Sequence, residues 1–201
     1  MAPSRYNLDP AATALMVCDV QPYYQKRVKH YDSVVSANKD LLEAAEHLSI
    51  DTYVSGHDPS FFGDIDKAIT DFSAGRRRGS GLENNGVFHT YNKSKYSMIT
   101  DDIAAKLEAS GVSMILLTGL ELHVCIVQTA EDLLNKGYKV FVATDASASV
   151  LDKEAQMALG YLKQLGVYLV TSEMALFMMT RDDEHPQSST IYSIFSRRRN
   201  N

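Results

Sequence analysis

Short apolar runs alternate with segments of helical periodicity along this chain, and this alternation limits its possible folds more than any other feature. Runs that predict strands lie at 13–20, 51–55, 113–118, 139–144 and 167–170. Segments that predict helices lie at 32–48, 100–110, 123–136 and 153–165, with further helices beginning at 171–173 and after 186. Strands that alternate with helices favour a parallel sheet with right-handed crossovers. We therefore predict an α/β fold, an open, twisted, mainly parallel sheet of five or six strands with helices on both faces.

The stretch 56–90 interrupts this alternation and carries glycines at positions 56, 63, 75, 79, 81 and 86. We expect it to be irregular and to shape substrate specificity, because loops of that length are usually functional or mobile. No repeat or linker divides the 201 residues, which suit one domain. A single domain over 1–201, with its core at about 13–195, is expected.

The charge of the chain argues against a nucleic-acid partner. The formal net charge is −5 and the sequence pI is about 5.6, whereas binding a polyanion normally requires a basic face. Arginine clusters at 76–78 and 197–199 keep nucleic acid open as an alternative, but a solvated loop and a frayed C-terminus are the simpler interpretation. No apolar run reaches the ~18–20 residues that cross a bilayer, so no membrane partner is expected.

The number and position of the cysteines indicate the redox state of the cellular compartment. The chain has two cysteines, Cys18 and Cys125, and no secretory signal precedes them. We therefore expect free thiols in a reducing compartment, the cytoplasm, with the mitochondrion as the alternative.

Residues just past the predicted strands are candidates for chemistry, because ligands of open parallel sheets bind beyond the carboxyl ends of the strands. Asp19 follows four apolar residues, where a carboxylate is costly to bury unless it is paired or used; its alternative role is to cap the next turn. Cys125 falls between the clearest strand and the next helix, where the helix dipole favours the thiolate and unpaired N–H groups can form an oxyanion hole. A buried, inert cysteine is the alternative. Cys18, beside Asp19 on a strand, is expected to be such a case and to point to the opposite face.

Three separated motifs give the chain a specific resemblance. The stretch 18–24 reads Cys-Asp-Val-Gln-Pro-Tyr-Tyr, so that a strand ends in an aspartate followed by a glutamine and aromatic residues. The stretch 93–97 reads Lys-Ser-Lys-Tyr-Ser, in which Lys93 has an aromatic residue three positions on, whereas its competitor Lys95 has one beside it. The stretch 119–125 reads Gly-Leu-Glu-Leu-His-Val-Cys. Together, and in this order, the motifs resemble those of the isochorismatase-like cysteine hydrolases. From periodicity alone, Lys93 is one of several exposed lysines.

The resemblance implies a three-layer α/β/α fold with a Rossmann-like strand order and a catalytic triad of Asp19, Lys93 and Cys125. It implies that the carboxylate acts as general acid and base, that the lysine holds the charges in place, and that the thiolate attacks a carbon, commonly of an amide carbonyl. It places the backbone N–H groups of Glu121 and Cys125 in an oxyanion hole, shaped by a non-proline cis peptide bond at 120–121.

The resemblance also implies that Gln21, Tyr24, His57 and Leu120 bind a small-molecule substrate, and that the chain forms a homo-oligomer. Nicotinamidase-type members bind a metal through an Asp-x-His motif, but the stretch 55–59 reads Ser-Gly-His-Asp-Pro. A lone His57 is a poor metal site, because ligands come in sets, and an exposed loop position is its alternative. We therefore expect no catalytic metal and no cofactor, and nicotinamide becomes a less favoured substrate.

Three functions remain in view at this point. The first is a metal-independent cysteine hydrolase acting on a small amide, imide or related molecule. The second is a ribonuclease or RNA-associated protein, since some relatives carry a mitochondrial-associated ribonuclease label; the motifs contain no carboxylate pair with a metal and no histidine pair for phosphodiester chemistry. The third is a non-catalytic scaffold that kept the fold.

Overall fold

Six parallel strands form one sheet in the computed structural model, which describes residues 7–76 and 86–199. The strands are β1 (Thr13–Cys18), β2 (Asp51–His57), β3 (Phe88–Lys93), β4 (Met114–Leu120), β5 (Lys139–Ala148) and β6 (Tyr168–Val170). Their order is β3-β2-β1-β4-β5-β6, and each neighbouring pair is parallel. The predicted open parallel sheet with a Rossmann-like order is confirmed.

The helices are α1 (Tyr31–His47), α2 (Pro59–Phe62), α3 (Lys67–Arg76), α4 (Asp101–Ser110), α5 (Val127–Asn135), α6 (Asp152–Gln164), α7 (Ser172–Thr180) and α8 (Ser188–Arg199). Within the described ranges, no helix has the length and apolar character needed to cross a bilayer.

The central strand β1 shows why the chain forms three layers. All six of its residues are buried, and successive side chains of a strand point to opposite faces. Leu15 and Val17 pack into one core with α1, α3, α7 and α8. Ala14 and Met16 pack into a second core with α4, α5 and α6. The expected α/β/α arrangement is therefore confirmed.

The strand order fixes where a ligand can bind. From β1 the chain proceeds outward to β2 and β3, then crosses back to place β4 on the other side of β1. Helices leave the two sides of such a switch point in opposite directions, which opens a crevice beyond the carboxyl ends of the strands. The ends of β1 and β4 border this crevice.

The expectation of an irregular stretch at 56–90 is wrong for its described residues, 56–76 and 86–90, which include α2, α3 and the start of β3. Tertiary contacts outweigh its glycine content. Ile69 of α3 is fully buried. Asp66 caps that helix by accepting a hydrogen bond from the backbone N–H of Ala68 at 2.8 Å, and it accepts another from the hydroxyl of Tyr31 at 2.9 Å. The side chains of the arginine cluster at 76–78 lie outside the described residues.

Two of the three C-terminal arginines make contacts within the domain, unlike the frayed terminus expected at 197–199; the side chain of Arg199 lies outside the described residues. Arg197 pairs with Glu43 of α1 at 2.6 Å. Arg198 contacts Asp145 at 3.1 Å and the hydroxyl of Ser172 at 3.0 Å. Both arginines therefore fasten α8 to the domain.

A carboxyl group on α1 opposes folding at neutral pH. Among the described residues, Oδ2 of Asp40 is buried without a hydrogen-bond partner. Burial raises the pKa of Asp40, and the nearby charge of Arg198 lowers it by less. A carboxyl whose folded-state pKa is raised destabilises the protein above that pKa and ceases to do so below its unfolded value of ~3.9.

We expect Asp40→Asn to raise the melting temperature at pH 7. The gain in the free energy of unfolding should be about 1 kcal/mol or less, because the carboxyl group is only half-buried. The difference from wild type should shrink as the pH falls through the ordinary carboxyl pKa of ~3.9, since the wild-type carboxyl is then increasingly neutral in both the folded and the unfolded state. Thermal unfolding across this range checks it, with the exposed Asp71→Asn as the matched control. An Asp40→Asn protein that is less stable than wild type at pH 7 would contradict this account.

Candidate active site

A buried cluster of three side chains lies beyond the carboxyl ends of the strands. Asp19 directly follows β1, Lys93 is the last residue of β3, and Cys125 follows β4. Nζ of Lys93 lies 2.6 Å from Oδ2 of Asp19 and 3.6 Å from Sγ of Cys125. A carboxylate oxygen of Asp19 lies within 4.8 Å of Sγ of Cys125. The structure thus brings together the three residues that the motifs singled out.

The carboxylate of Asp19 is buried, and each of its two oxygens accepts a hydrogen bond. Its residue is 1% exposed, and its backbone has a φ of 50°, so the chain leaves the sheet here rather than at the predicted residue 20. Oδ1 accepts a hydrogen bond from the hydroxyl of Ser55 at 2.7 Å, and Oδ2 accepts one from Lys93. The backbone N–H of Asp19 donates to the carbonyl of Ser55 at 3.0 Å. These contacts hold the carboxylate in one orientation.

The expectation from periodicity that Lys93 is exposed is wrong: it is 5% exposed, whereas Lys95 is exposed. Its ammonium also donates to the backbone carbonyls of Lys95 at 3.1 Å and Tyr96 at 2.9 Å. Burial disfavours the charge, but the carboxylate of Asp19, through its charge and its hydrogen bond, and the neighbouring sulfur groups together outweigh burial, so the pKa of Lys93 is raised. A positive charge therefore contacts both the carboxylate and the sulfur of Cys125.

The cysteine lies in a turn that periodicity did not predict. Leu122–Ile126 form a π-helical turn that leads into α5, where an ordinary helix was predicted from 123. Cys125 is 7% exposed, and its backbone carbonyl accepts a hydrogen bond from the hydroxyl of Thr129 at 2.6 Å. The peptide bond Leu120–Glu121 is cis, as the resemblance implied.

A glycine is required where β4 meets β1. Gly119 has a φ of 114°, and a Cβ there would lie 2.0 Å from the backbone oxygen of Cys18. Any other residue would collide with the neighbouring strand and favour a different φ. This close approach leads the chain directly from the sheet into the turn that carries Cys125.

The second cysteine belongs to the same cluster, so the expectation that Cys18 points away from Asp19 is wrong. Its Sγ lies within 4.8 Å of both Asp19 and Cys125. The strand alternation ends at Cys18, because Asp19 adopts a left-handed conformation that turns its side chain to the same region. Burial is the main cause that raises the pKa of Cys18, and a hydrogen bond with Cys125 raises it further. Cys18 therefore remains a thiol.

A cavity of about 560 Å³ opens above Cys125. Its lining is mainly aromatic and apolar, with a few charged or polar groups: Tyr23, Tyr24, Arg27, His57, Phe62, Tyr96, Glu121, His123, Val124, Cys125, Val150, Leu151 and Glu154. Asp19 and Lys93 are buried and are not among the residues that line it. The thiol is therefore the triad member that a ligand in the cavity meets.

Two of the four residues expected to bind substrate line this cavity, and two do not. Tyr24 and His57 form part of its wall. Gln21 is fully buried, and its side-chain amide pairs with the backbone of His57 and donates to the carbonyl of Gly63 at 2.5 Å. Leu120 is fully buried in the core. Gln21 thus positions the end of β2, and Leu120 packs the fold.

Several residues of the site escaped prediction. Ser55 ends up beside Asp19 because β2 pairs with β1, and its register partner is Cys18. A search of neighbouring strand ends for polar residues would have found it. Phe62 and Tyr96 flank His57, with ring centroids 5.4 and 5.6 Å away. Their positions depend on α2 and on the loop after β3, for which the sequence gives no periodic signal.

The cluster contains three potential metal ligands, since the donor atoms of Cys18, Asp19 and Cys125 lie within 4.8 Å of one another. The ammonium of Lys93 contacts two of them. A fixed positive charge in that place repels a cation and already neutralises the donors. The arrangement therefore suits a buried ion pair with a thiol better than a metal site.

Comparison with known proteins identifies relatives across most of the chain. A family model described as the isochorismatase domain matches residues 13–174. Isochorismatase family protein 2B of Dictyostelium discoideum is 37% identical over 201 residues, which cover 95% of this chain and 87% of that protein. The structure of MAR1 ribonuclease from Caenorhabditis elegans has a TM-score of 0.82 at 29% identity, covering 94% of this chain and 92% of that one. The YcaC gene product of Escherichia coli, an octameric hydrolase of unknown specificity, shares the fold with a TM-score of 0.79 at 18% identity, covering 97% and 94%.

Proposed function

The chain belongs to the isochorismatase family, and on that premise we propose that it is a hydrolase whose nucleophile is Cys125. Members of this family are hydrolases. The observation that carries the proposal is the position of the Lys93 ammonium, 2.6 Å from the Asp19 carboxylate and 3.6 Å from the Cys125 sulfur. A buried ion pair is rarely needed for stability, because apolar residues of similar volume often do as well. Its contact with a thiol at a cavity floor favours a catalytic role.

In the proposed reaction, Asp19 accepts the thiol proton of Cys125, and Lys93 stabilises the thiolate. The thiolate attacks the carbonyl carbon of an amide, and the backbone N–H groups of Glu121 and Cys125 stabilise the oxyanion. Asp19 then passes the proton to the leaving amine, which leaves a thioester on Cys125. Water, with Asp19 again as the base, releases the acid and restores the thiol. General acid–base catalysis of this kind contributes about 10²–10⁴-fold to a rate.

The cavity supports a small-molecule substrate. Its volume of about 560 Å³ lies in the range of ligand pockets, roughly 300–1,000 Å³. Aromatic side chains form much of its wall, with Tyr24 and Phe62 stacked at 5.8 Å between ring centroids. We propose a small amide, imide or related molecule that carries a flat or apolar group.

Hydrolysis is expected to be independent of metal. Release of ammonia or amine from a panel of small amides, measured before and after treatment with a chelator, tests both the reaction and this point. The rate should be unchanged by the chelator, because the ammonium of Lys93 already neutralises Asp19. A rate that is lost on chelation and restored by a divalent cation would contradict metal independence.

A ribonuclease is the second candidate, favoured by the similarity to the Caenorhabditis elegans MAR1 ribonuclease. The net charge of −5 argues against it, and both Arg197 and Arg198 are engaged in ion pairs within the chain. A ribonuclease would bind RNA at low salt and lose that binding when the cluster at 76–78 is neutralised. Absence of binding at low salt rejects this candidate.

We also propose that the chain forms a homo-oligomer. The Escherichia coli protein of the same fold is octameric. Here Leu151, just before α6, and Met157 and Tyr161, on α6, are exposed, and Leu151 also lines the cavity. A second copy that covers Leu151 would also border the cavity. Light scattering that gives the mass of a monomer would contradict the proposal.

A further inference from the structure

Cys18 is a second cysteine at the candidate active site, and the proposed hydrolysis gives its sulfur no role. It is fully buried, and its Sγ lies within 4.8 Å of the Sγ of Cys125. We propose that Cys18 is a resolving thiol: when a hydroperoxide oxidises Cys125 to a sulfenic acid, Cys18 reacts with it to form a disulfide that reversibly switches the site off. The inference rests on the proposed function in one respect, that Cys125 reaches the thiolate state.

The two thiols differ in the properties that decide which one is oxidised. Cys125 lines the cavity, where a small oxidant can reach it, and the ammonium of Lys93 is 3.6 Å from its sulfur. Oxidation follows thiolate character and access. Cys18 has no exposed surface, and burial raises its pKa, so it stays protonated. Cys125 is therefore the sulfur that the oxidant reaches first, and Cys18 is the buried thiol that can then react with the oxidised Cys125.

The chemistry balances without a further reagent. The Cys125 thiolate attacks one oxygen of the hydroperoxide and breaks the O–O bond, which leaves Cys125 as a sulfenic acid and the peroxide as water or an alcohol after protonation. The sulfur of Cys18 then attacks the sulfur of Cys125. The S–O bond breaks, and the thiol proton of Cys18 leaves with the hydroxyl group as water. The pair loses two electrons, which the hydroperoxide gains.

Asp19 lies where this second step needs a base. Its carboxylate oxygen is within 4.8 Å of both sulfurs, so it can take the proton of Cys18 as the S–S bond forms. A disulfide requires a sulfur–sulfur distance of about 2.05 Å, so the sulfurs must approach by less than about 3 Å. Rotation of one cysteine side chain between neighbouring staggered positions moves its sulfur by about that distance. The bond is thus within reach of side-chain motion.

Such a disulfide would block the nucleophile and protect it. A sulfenic acid without a nearby thiol proceeds to sulfinic and sulfonic acids, which ordinary thiols do not reduce. A disulfide returns to two thiols by exchange with a reductant such as glutathione. The protein would therefore recover its activity after exposure to an oxidant that would irreversibly inactivate an enzyme with a single active-site cysteine.

Treatment of the wild-type protein with hydrogen peroxide tests the proposal. Iodoacetamide is first used to establish that Cys125 is alkylated in the reduced protein. After peroxide, we expect loss of alkylation at Cys125, an intact mass lower by two hydrogen atoms, and a peptide in which Cys18 and Cys125 are linked. Dithiothreitol should restore alkylation in full. Oxygen atoms added at Cys125 with no linked peptide would overturn the inference.

Cys18→Ser removes the resolving thiol with little change of volume. Peroxide should then oxidise Cys125 beyond the sulfenic acid, and recovery with dithiothreitol should fall at least about tenfold below that of wild type. Cys18→Ala serves as a second variant, and circular dichroism verifies its fold; the wild-type peptide map decides the question even if neither variant folds. If Cys125 is alkylated but no disulfide forms, this inference fails and the proposed function stands. If Cys125 is not alkylated at all, the proposed function fails.

Discussion

Lys93→Met is expected to lower the free energy of unfolding by about 3–5 kcal/mol at pH 7. The methionine removes a cation that contacts Asp19 at 2.6 Å and donates to two backbone carbonyls. The carboxylate of Asp19, which is 1% exposed, would stay buried without its counter-ion. Removing one partner of a buried ion pair is far more costly than replacing both. Denaturant unfolding measures the difference.

Lys95→Met is the matched control, since Lys95 is exposed two residues away, and it should change stability by less than about 0.5 kcal/mol. The effect of Lys93 should also persist into alkaline solution. A lysine whose pKa is raised on folding contributes stability in full below its unfolded value of ~10.4 and loses it only as the pH rises through the folded value. Equal stability of the two variants at pH 7 would contradict the buried ion pair.

Cys125→Ser should reduce amide hydrolysis at least about 10³-fold, because a hydroxyl is a far weaker acid and a poorer nucleophile than a thiol. The substitution changes one atom in a residue that is 7% exposed, so the fold should persist. Steady-state release of the amine, with thermal unfolding measured on the same samples, separates loss of chemistry from loss of structure. Lys95→Met again supplies the control. A serine variant that keeps more than about a tenth of the wild-type rate would place the nucleophile elsewhere.

The sheet could be predicted from the sequence because strands that are buried on both faces consist of continuous apolar runs. β1 and β4 are almost wholly apolar, and the runs 13–20 and 113–118 located both. Position after a strand singled out Asp19, and the turn before a helix singled out Cys125. The assignment of Lys93 required the family resemblance, since no local pattern shows that a lysine at the end of an outer strand is buried.

What could not be predicted depends on contacts between distant segments. Ile69 and Asp66 order α3 through burial and capping that no glycine count reveals. Cys18 joined the site because the backbone of Asp19 turns left-handed at the end of β1, a change that strand alternation does not anticipate. Phe62 reaches the cavity only because α2 packs beside His57. In each case tertiary contacts, rather than the conformational preference of the local sequence, determine the position of the residue.

The most direct test of an activated Cys125 is its rate of labelling by iodoacetamide as a function of pH, followed by mass spectrometry with Cys18 as the internal reference. It is measured in wild type and in Asp19→Asn, which keeps the shape of the side chain and removes the base. We expect Cys125 to be labelled at neutral pH and far faster than Cys18, and Asp19→Asn to shift the pH dependence of that labelling. If Cys125 instead labels no better than Cys18 at any pH, the triad is idle, and the chain is a scaffold that kept the fold without its chemistry.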